Sequence, residues 1–296
     1  MTEMHPKKEG VTKKMQQAAA MCGVGAMLYL LVARLMVSAL VAMNAIPRNE
    51  AQLLVTQGGI TLVAIFTAFL IIYVIHPVRG LEPLGIVKPR QGCGLWLFLV
   101  FWVLMTTGSG MGDLATRISR QVSGAVHLPG SIWELLACGM VLTILPAVAE
   151  ELLFRGLLQG YLQPYGFWFA VIGQAVVFGL LHGDFASCLV ATMGGIALGL
   201  CRASTGSLVW GIVFHLYNNT TAFVTLYNEQ YGIAGALQLA LQYIVPTVVL
   251  VGYALNRIVT KKTPQLIRAS GAGVDALAHC HVWLACVGIL LLRVIF

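Results

Sequence analysis

The chain has 296 residues, of which 58% are hydrophobic and 10% charged, with 18 Lys and Arg against 11 Asp and Glu, a formal net charge of +7 and a mean hydropathy of +0.85. Soluble domains carry roughly 25% charged residues, so this composition excludes a soluble enzyme and fits an integral membrane protein whose solvent is mostly lipid. The positive excess would suggest a nucleic-acid partner in a soluble chain; here it belongs to loops beside apolar spans, and no nucleic-acid partner is expected.

In chain order, eight apolar runs approach the roughly 20 residues that a helix needs to cross the hydrocarbon core. They cover 17–43, 52–76, 93–109, 131–160, 167–183, 185–201, 207–227 and 237–256. The first follows Lys7, Lys8, Lys13 and Lys14, like the charged start of a signal peptide, but its apolar stretch is too long and lacks a small-residue cleavage site, so it is expected to stay as a helix. The segment His281 to Leu292 offers only 12 residues before Arg293, which leaves a ninth span open. With the N-terminus inside, Lys7, Lys8, Lys13, Lys14, Arg79, Lys88, Arg90, Arg202, Arg257, Lys261, Lys262 and Arg268 fall on the cytoplasmic side, against Arg48, Arg117 and Arg120 outside. This asymmetry obeys the positive-inside rule. The expected fold is an all-α polytopic transmembrane helix bundle, one structural domain made of N-terminal membrane helices (1–130), a core (131–227) and a C-terminal helix with tail (228–296).

The seven cysteines, Cys22, Cys93, Cys138, Cys188, Cys201, Cys280 and Cys286, lie mostly in or beside apolar runs and read as packing residues. His279, Cys280, His281 and Cys286 form a small group that is either a metal site or an incidental interfacial cluster. Gly195 and Gly199 are four apart in the sixth span, the spacing that lets helices approach closely. Trp96, Trp133, Trp168, Trp210 and Trp283 lie near span ends, where indoles favour the interface. Arg34 and Glu134 fall near the outer face, and an ion pair between them is conceivable.

Ionisable side chains at membrane depth cost roughly 2.5 to 3.5 kcal/mol each on insertion scales, and three spans carry them. The fourth has VAEELLFRG with Glu150, Glu151 and Arg155, the fifth has VVFGLLH ending at His182, and the seventh has GIVFHLYNN with His215 and Asn219. Glu151 and Arg155 stand i, i+4 with the acid first, the favourable order for an ion pair, while Glu150 is turned about 100° away. His215 and Asn219 share one helix face by the same spacing, as do Phe178 and His182. Counted from the cytoplasmic loops at 1.5 Å per residue, Glu150, His182, His215 and Asn219 come out at roughly 14 to 24 Å, so they can meet at one level if Pro146 leaves the fourth helix continuous. Helix glue accounts for Glu151 with Arg155. A carboxylate, two imidazoles and an amide at similar depth on three helices suit general-base chemistry instead, because a carboxylate kept from water accepts a proton more readily.

EELLFRG, FGLLH and HLYNN, in that order and in separate spans, resemble the three signature motifs of the CAAX protease and bacteriocin-processing (CPBP) family of intramembrane endopeptidases. The resemblance covers about residues 131 to 225, including the Thr-Gly-Ser turn at 205–207 before the histidine helix. It implies hydrolysis of a peptide bond in a membrane-associated protein or peptide precursor. Glu150 matches the residue that activates water, Glu151 and Arg155 match its neighbours, and His182, His215 and Asn219 match the other active-site positions. Two chemistries remain: a glutamate-type base without metal, or a divalent metal such as zinc held by Glu150, His182 and His215. The compact loops resemble prokaryotic members, which implies a prokaryotic cell membrane and a peptide or leader-bearing substrate.

Rival readings are weaker. Gly110, Met111, Gly112 and Asp113 spell the GxGD pattern of intramembrane aspartyl proteases, but the other aspartates, Asp184 and Asp275, lie in a turn and in the tail. A rhomboid-like serine protease needs a histidine facing Ser109, and none is evident. A non-catalytic immunity or regulatory protein that binds a peptide or membrane partner is the alternative of a different class. A transporter would show an internal repeat, which is absent.

Overall fold

The computed structural model describes residues 12–90, 94–119, 127–261 and 269–295. Lys7, Lys8, Cys93, Arg120, Lys262 and Arg268, assigned above to loops and packing, lie outside the described residues. The elements are α1 (Lys13–Ala42), α2 (Glu50–Ile75), α3 (Gly94–Ser119), α4 (Ile132–Leu162), α5 (Phe167–Leu180), α6 (Phe185–Thr205), α7 (Val209–Tyr231), α8 (Gly235–Thr260), a 3₁₀ turn (Val274–His279) and α9 (His281–Ile295). Side chains at their starts satisfy free backbone donors. Thr12 accepts from the Met15 N–H, Asn49 from Ala51 and Gln52, and Asp184 from Ser187. Gly206, at φ 72°, closes α6 in the left-handed conformation that ends helices.

Prolines shape α4 and α8 in the same way. Pro146 and Pro246 supply no N–H, and just before each the helix widens to a π turn, with Leu145 N–H reaching Met140 O and Val245 N–H reaching Ala240 O. A second π segment in α4, Glu151–Leu158, contains no proline; it coincides with the EELLFRG motif. Pi-bulges recur at functional sites.

Among the described residues six helices are long and apolar enough to cross a membrane: α1, α2, Gly94–Arg117 of α3, α4, α6 and α8. All eight expected runs form helices, and two of them are not among these six. Helix α5 has only 14 residues, about 21 Å, because a turn at Leu181–Asp184 ends it. Helix α7 is 23 residues long, but Asn218, Asn219, Thr220 and Thr221 interrupt its apolar run. The candidate ninth span forms α9, a 15-residue apolar helix.

Helix α6 lies between α3 and α5. A Cβ at Gly112 would come within 2.9 Å of Val190, and one at Gly195 within 2.9 Å of Ala175, so glycines set both approaches. Two buried glutamines clamp α6 further: Gln159 donates to Gly199 O at 2.9 Å and Gln174 to Gly195 O at 2.8 Å. The main core joins α1, α2, α4, α5 and the C-terminal segment. Loops assigned to the same side by charge do meet: Arg202 donates to Pro83 O at 2.8 Å, and Arg90 N–H to Thr205 O at 3.1 Å. On the opposite side Leu128 exchanges two hydrogen bonds with Gln230.

The cysteines behave as packing residues: Cys22, Cys138, Cys188, Cys201, Cys280 and Cys286 are free and buried. Two further details bear on the expectations above. Trp283, near the start of α9, is buried in the bundle, and its indole N–H donates to Gly173 O at 3.3 Å. Among the described residues no ion pair links Arg34 to Glu134; Arg34 lies instead within electrostatic reach of Arg293.

Candidate active site

The motif residues come from three helices and converge. Glu151 and Arg155 are both fully buried and form the expected i, i+4 ion pair, with Arg155 Nη1 2.9 Å from Glu151 Oε1. His215 on α7 reaches the same oxygen with Nδ1 at 3.1 Å, while its Nε2 stands 3.7 Å from Glu150 Oε2. Two adjacent glutamates on α4 are thus joined through one imidazole. The ring's attachment to Glu151 aims its other nitrogen at Glu150.

Gly211, one helical turn before His215, makes room for this arrangement. A Cβ there would lie 2.6 Å from Glu151 Oε2, an oxygen already buried without a hydrogen-bond partner. Phe178 holds the assembly from α5. The Arg155 guanidinium carbon lies 4.2 Å from the centre of its ring, and His182 and His215 meet the ring edge-on at 4.9 and 6.3 Å. Stacking on an aromatic face offers a desolvated guanidinium a partner that needs no hydrogen bond.

His182 follows the end of α5, in the turn before Gly183, and is exposed. Its Nδ1 is 2.9 Å from Phe178 O. A carbonyl only accepts, so Nδ1 carries a proton, and in the neutral ring Nε2 is left as an acceptor.

Two cavities meet at this point. One of about 350 Å³ is lined by Glu150, Tyr29, Thr61, Phe178, His182, His215 and Asn219, among others. The other, of about 460 Å³, shares Phe178, His182, His215 and Asn219 and continues past Asp113, Ser109 and Ser187. Glu150, only partly buried, faces the first cavity, whereas Glu151 and Arg155 line neither. The predicted residues therefore separate into a sealed pair and an open set, Glu150, His182, His215 and Asn219.

Glu150, His182 and His215 are the side chains that a zinc ion would require. Among the described residues no three His, Cys, Asp or Glu side chains are grouped so as to hold a metal ion, at this site or around His279, Cys280, His281 and Cys286. The aspartyl alternative also lacks a pair. Asp113 lines the larger cavity, while Asp184 is engaged as the cap of α6.

Three contributors were not apparent from the motifs. Tyr29 and Thr61 bring α1 and α2 to the wall beside Glu150, and Gly211 receives the Glu151 carboxylate. A glycine one turn before the histidine was the available signal for Gly211. Nothing local marks Tyr29, one of many aromatic residues in apolar spans.

Residues 131–221 match the family model described as type II CAAX prenyl endopeptidase Rce1-like, and the match supports a membrane protease. No curated protein and no solved structure matches the chain. The matched segment spans α4 to the middle of α7 and contains all six residues of the candidate site. It is this segment, about a third of the chain, that carries the Rce1-like, type II CAAX prenyl endopeptidase signature.

Proposed function

We propose that the protein is an intramembrane endopeptidase of the glutamate type, in which Glu150 activates water against a peptide bond of a membrane-associated protein or peptide precursor. The observation that carries this reading is the division between the two glutamates. Glu151 is neutralised by Arg155 out of contact with either cavity, whereas Glu150 opens on a cavity that it shares with both histidines and Asn219.

The chemistry follows from the donors and acceptors. Glu150 takes a proton from a water in the cavity, and the resulting hydroxide adds to the scissile carbonyl carbon. His182, with its proton directed to Phe178 O, offers Nε2 to orient that water. The amide of Asn219 donates to the developing oxyanion. Collapse of the tetrahedral intermediate breaks the C–N bond, and the proton held by Glu150 passes to the leaving amine. His215, fixed by Glu151, keeps the base and the carbonyl in register. No step here runs through a metal.

The decisive experiment compares membranes and medium from cells that express wild type and Glu150→Gln at equal abundance, by peptidomic and N-terminal profiling. The expected result is loss of a processed peptide and accumulation of its longer precursor. Identical profiles alongside a persistent deletion phenotype would overturn the protease reading and favour a non-catalytic binding protein.

A further inference from the structure

The C-terminal segment lies outside the matched region, yet it grips α5 along its whole length. At the start of α5, Gly166 and Gly271 form an antiparallel bridge, with Phe167 N–H donating to Ser270 O at 2.9 Å and Ala272 N–H to Tyr165 O at 2.7 Å. A Cβ at Gly166 would come within 2.2 Å of Ala272 O, so the backbones are in direct contact. In the middle, the Trp283 indole N–H donates to Gly173 O. At the end, Arg293 Nη1 donates to Leu181 O at 3.1 Å, and a Cβ on Gly183 would lie 3.0 Å from Arg293 Nη2.

These contacts bracket His182, since Leu181 and Gly183 are its chain neighbours. Within the turn, Leu181 N–H donates to Val177 O at 3.3 Å and His182 N–H to Gly179 O at 3.0 Å, beside the bond from His182 Nδ1 to Phe178 O. Gly183 has φ +93°, which frees the chain to leave the helix at that point. The inward stripe of α9, Trp283, Cys286, Leu290 and Val294, is buried against the bundle and carries Arg293 to the turn. Close approach at Gly23, where a Cβ would meet Cys286 Cβ at 2.9 Å, sets α9 on α1.

We infer that residues 269–295 form a clasp on α5 and that Arg293 is a positioning residue for His182, a role that rests on the proposed protease reading. A guanidinium on a carbonyl at a helix end is a charge-assisted bond that also complements the negative end of the helix dipole. Arg293 therefore acts on the active site without touching substrate. An element remote from the three motifs becomes necessary for turnover.

Amide hydrogen exchange of the full chain in detergent micelles, read by mass spectrometry, tests the clasp independently of activity. In Arg293→Met, exchange at Leu181 and His182 is expected to rise about tenfold, the equivalent of one charge-assisted hydrogen bond, with the rest of α5 unchanged. Arg293→Lys retains a donor and is expected to keep most of the protection. Arg293→Gln removes the charge while keeping a polar side chain and should reproduce part of the local change if Arg293→Met does not fold. In hydrolysis assays kcat is expected to fall about tenfold while KM stays within about twofold, with recovery in Arg293→Lys. Unchanged exchange at 181–182 in both variants, or a uniform rise across α5 and α9, would overturn the clasp. A wild type that hydrolyses nothing defeats the protease reading alone, and the exchange data still decide the role of Arg293.

Discussion

Replacing Glu151 by Gln keeps the side-chain shape and removes one charge from a site where both partners of the ion pair are fully buried. Arg155 is then left as an uncompensated cation with the face of Phe178, 4.2 Å away, as its remaining partner. Breaking a buried pair by removing one member costs about 3 to 5 kcal/mol. The lower end applies here, because the aromatic contact persists. The second variant, Glu151→Gln with Arg155→Met, removes the orphan charge and is expected to recover about 2 kcal/mol of that loss. Activity should not follow stability. His215 Nδ1 loses its anionic anchor at 3.1 Å in both variants, and hydrolysis is expected to fall about 100-fold or more in each. Denaturant titration in micelles, run beside peptide hydrolysis, separates the two effects. A single variant destabilised by less than about 1 kcal/mol would refute the charge argument. A double variant that regains full hydrolysis would refute the orienting role of Glu151.

The remaining predictions concern neighbours of the same site. Gly211→Ala puts a methyl 2.6 Å from Glu151 Oε2; it should destabilise by about 1 to 3 kcal/mol and lower kcat more than it raises KM, as steady-state kinetics can establish. Burial pushes the Asp184 carboxyl up, but its hydrogen bonds from Ser187 and the local backbone outweigh this and hold it below its ordinary value. A depressed folded value means that the cap's contribution is full above the unfolded value of about 3.9 and is lost as pH falls through the folded one. The thermal midpoints of wild type and Asp184→Ala should therefore differ by a constant amount above about pH 5 and converge below about pH 4. Hydrolysis is expected to survive removal of divalent metals by chelation and dialysis, and loss that only zinc restores would overturn the metal-free base.

The residues of the site were legible because each violates the hydropathy of its span. A glutamate pair, two histidines and an asparagine in apolar helices cannot be hidden by composition, and the i, i+4 order of Glu151 and Arg155 already implies their ion pair. What the pattern could not convey was the connection between elements. That His215 touches both glutamates depends on the packing of α7 against α4, and the role of Gly211 exists only once Glu151 fills the space beside it. Tyr29 and Arg293 arrive from the two ends of the chain, each looking locally like an ordinary membrane residue. The short length of α5 escaped for a related reason. Hydropathy sums a window, but α5 starts at Phe167 as expected and ends at Leu180, where the turn that carries His182 leaves the helix.

A membrane interior leaves an ionised side chain two stable arrangements, neutralisation by a partner or access to water. The EELLFRG motif uses both in consecutive residues. Glu151 takes the first through Arg155, and the resulting neutral pair gives His215 a fixed acceptor for its Nδ1. Glu150 takes the second by opening onto the 350 Å³ cavity. In the proposed reaction the water that solvates this carboxylate also supplies the nucleophile, so the feature that makes the charge tolerable also makes it reactive. A single glutamate in the same helix would have to be either buried and silent or hydrated and unoriented. Three ionisable side chains on α4 are needed to provide one carboxylate that is both wet and held in place.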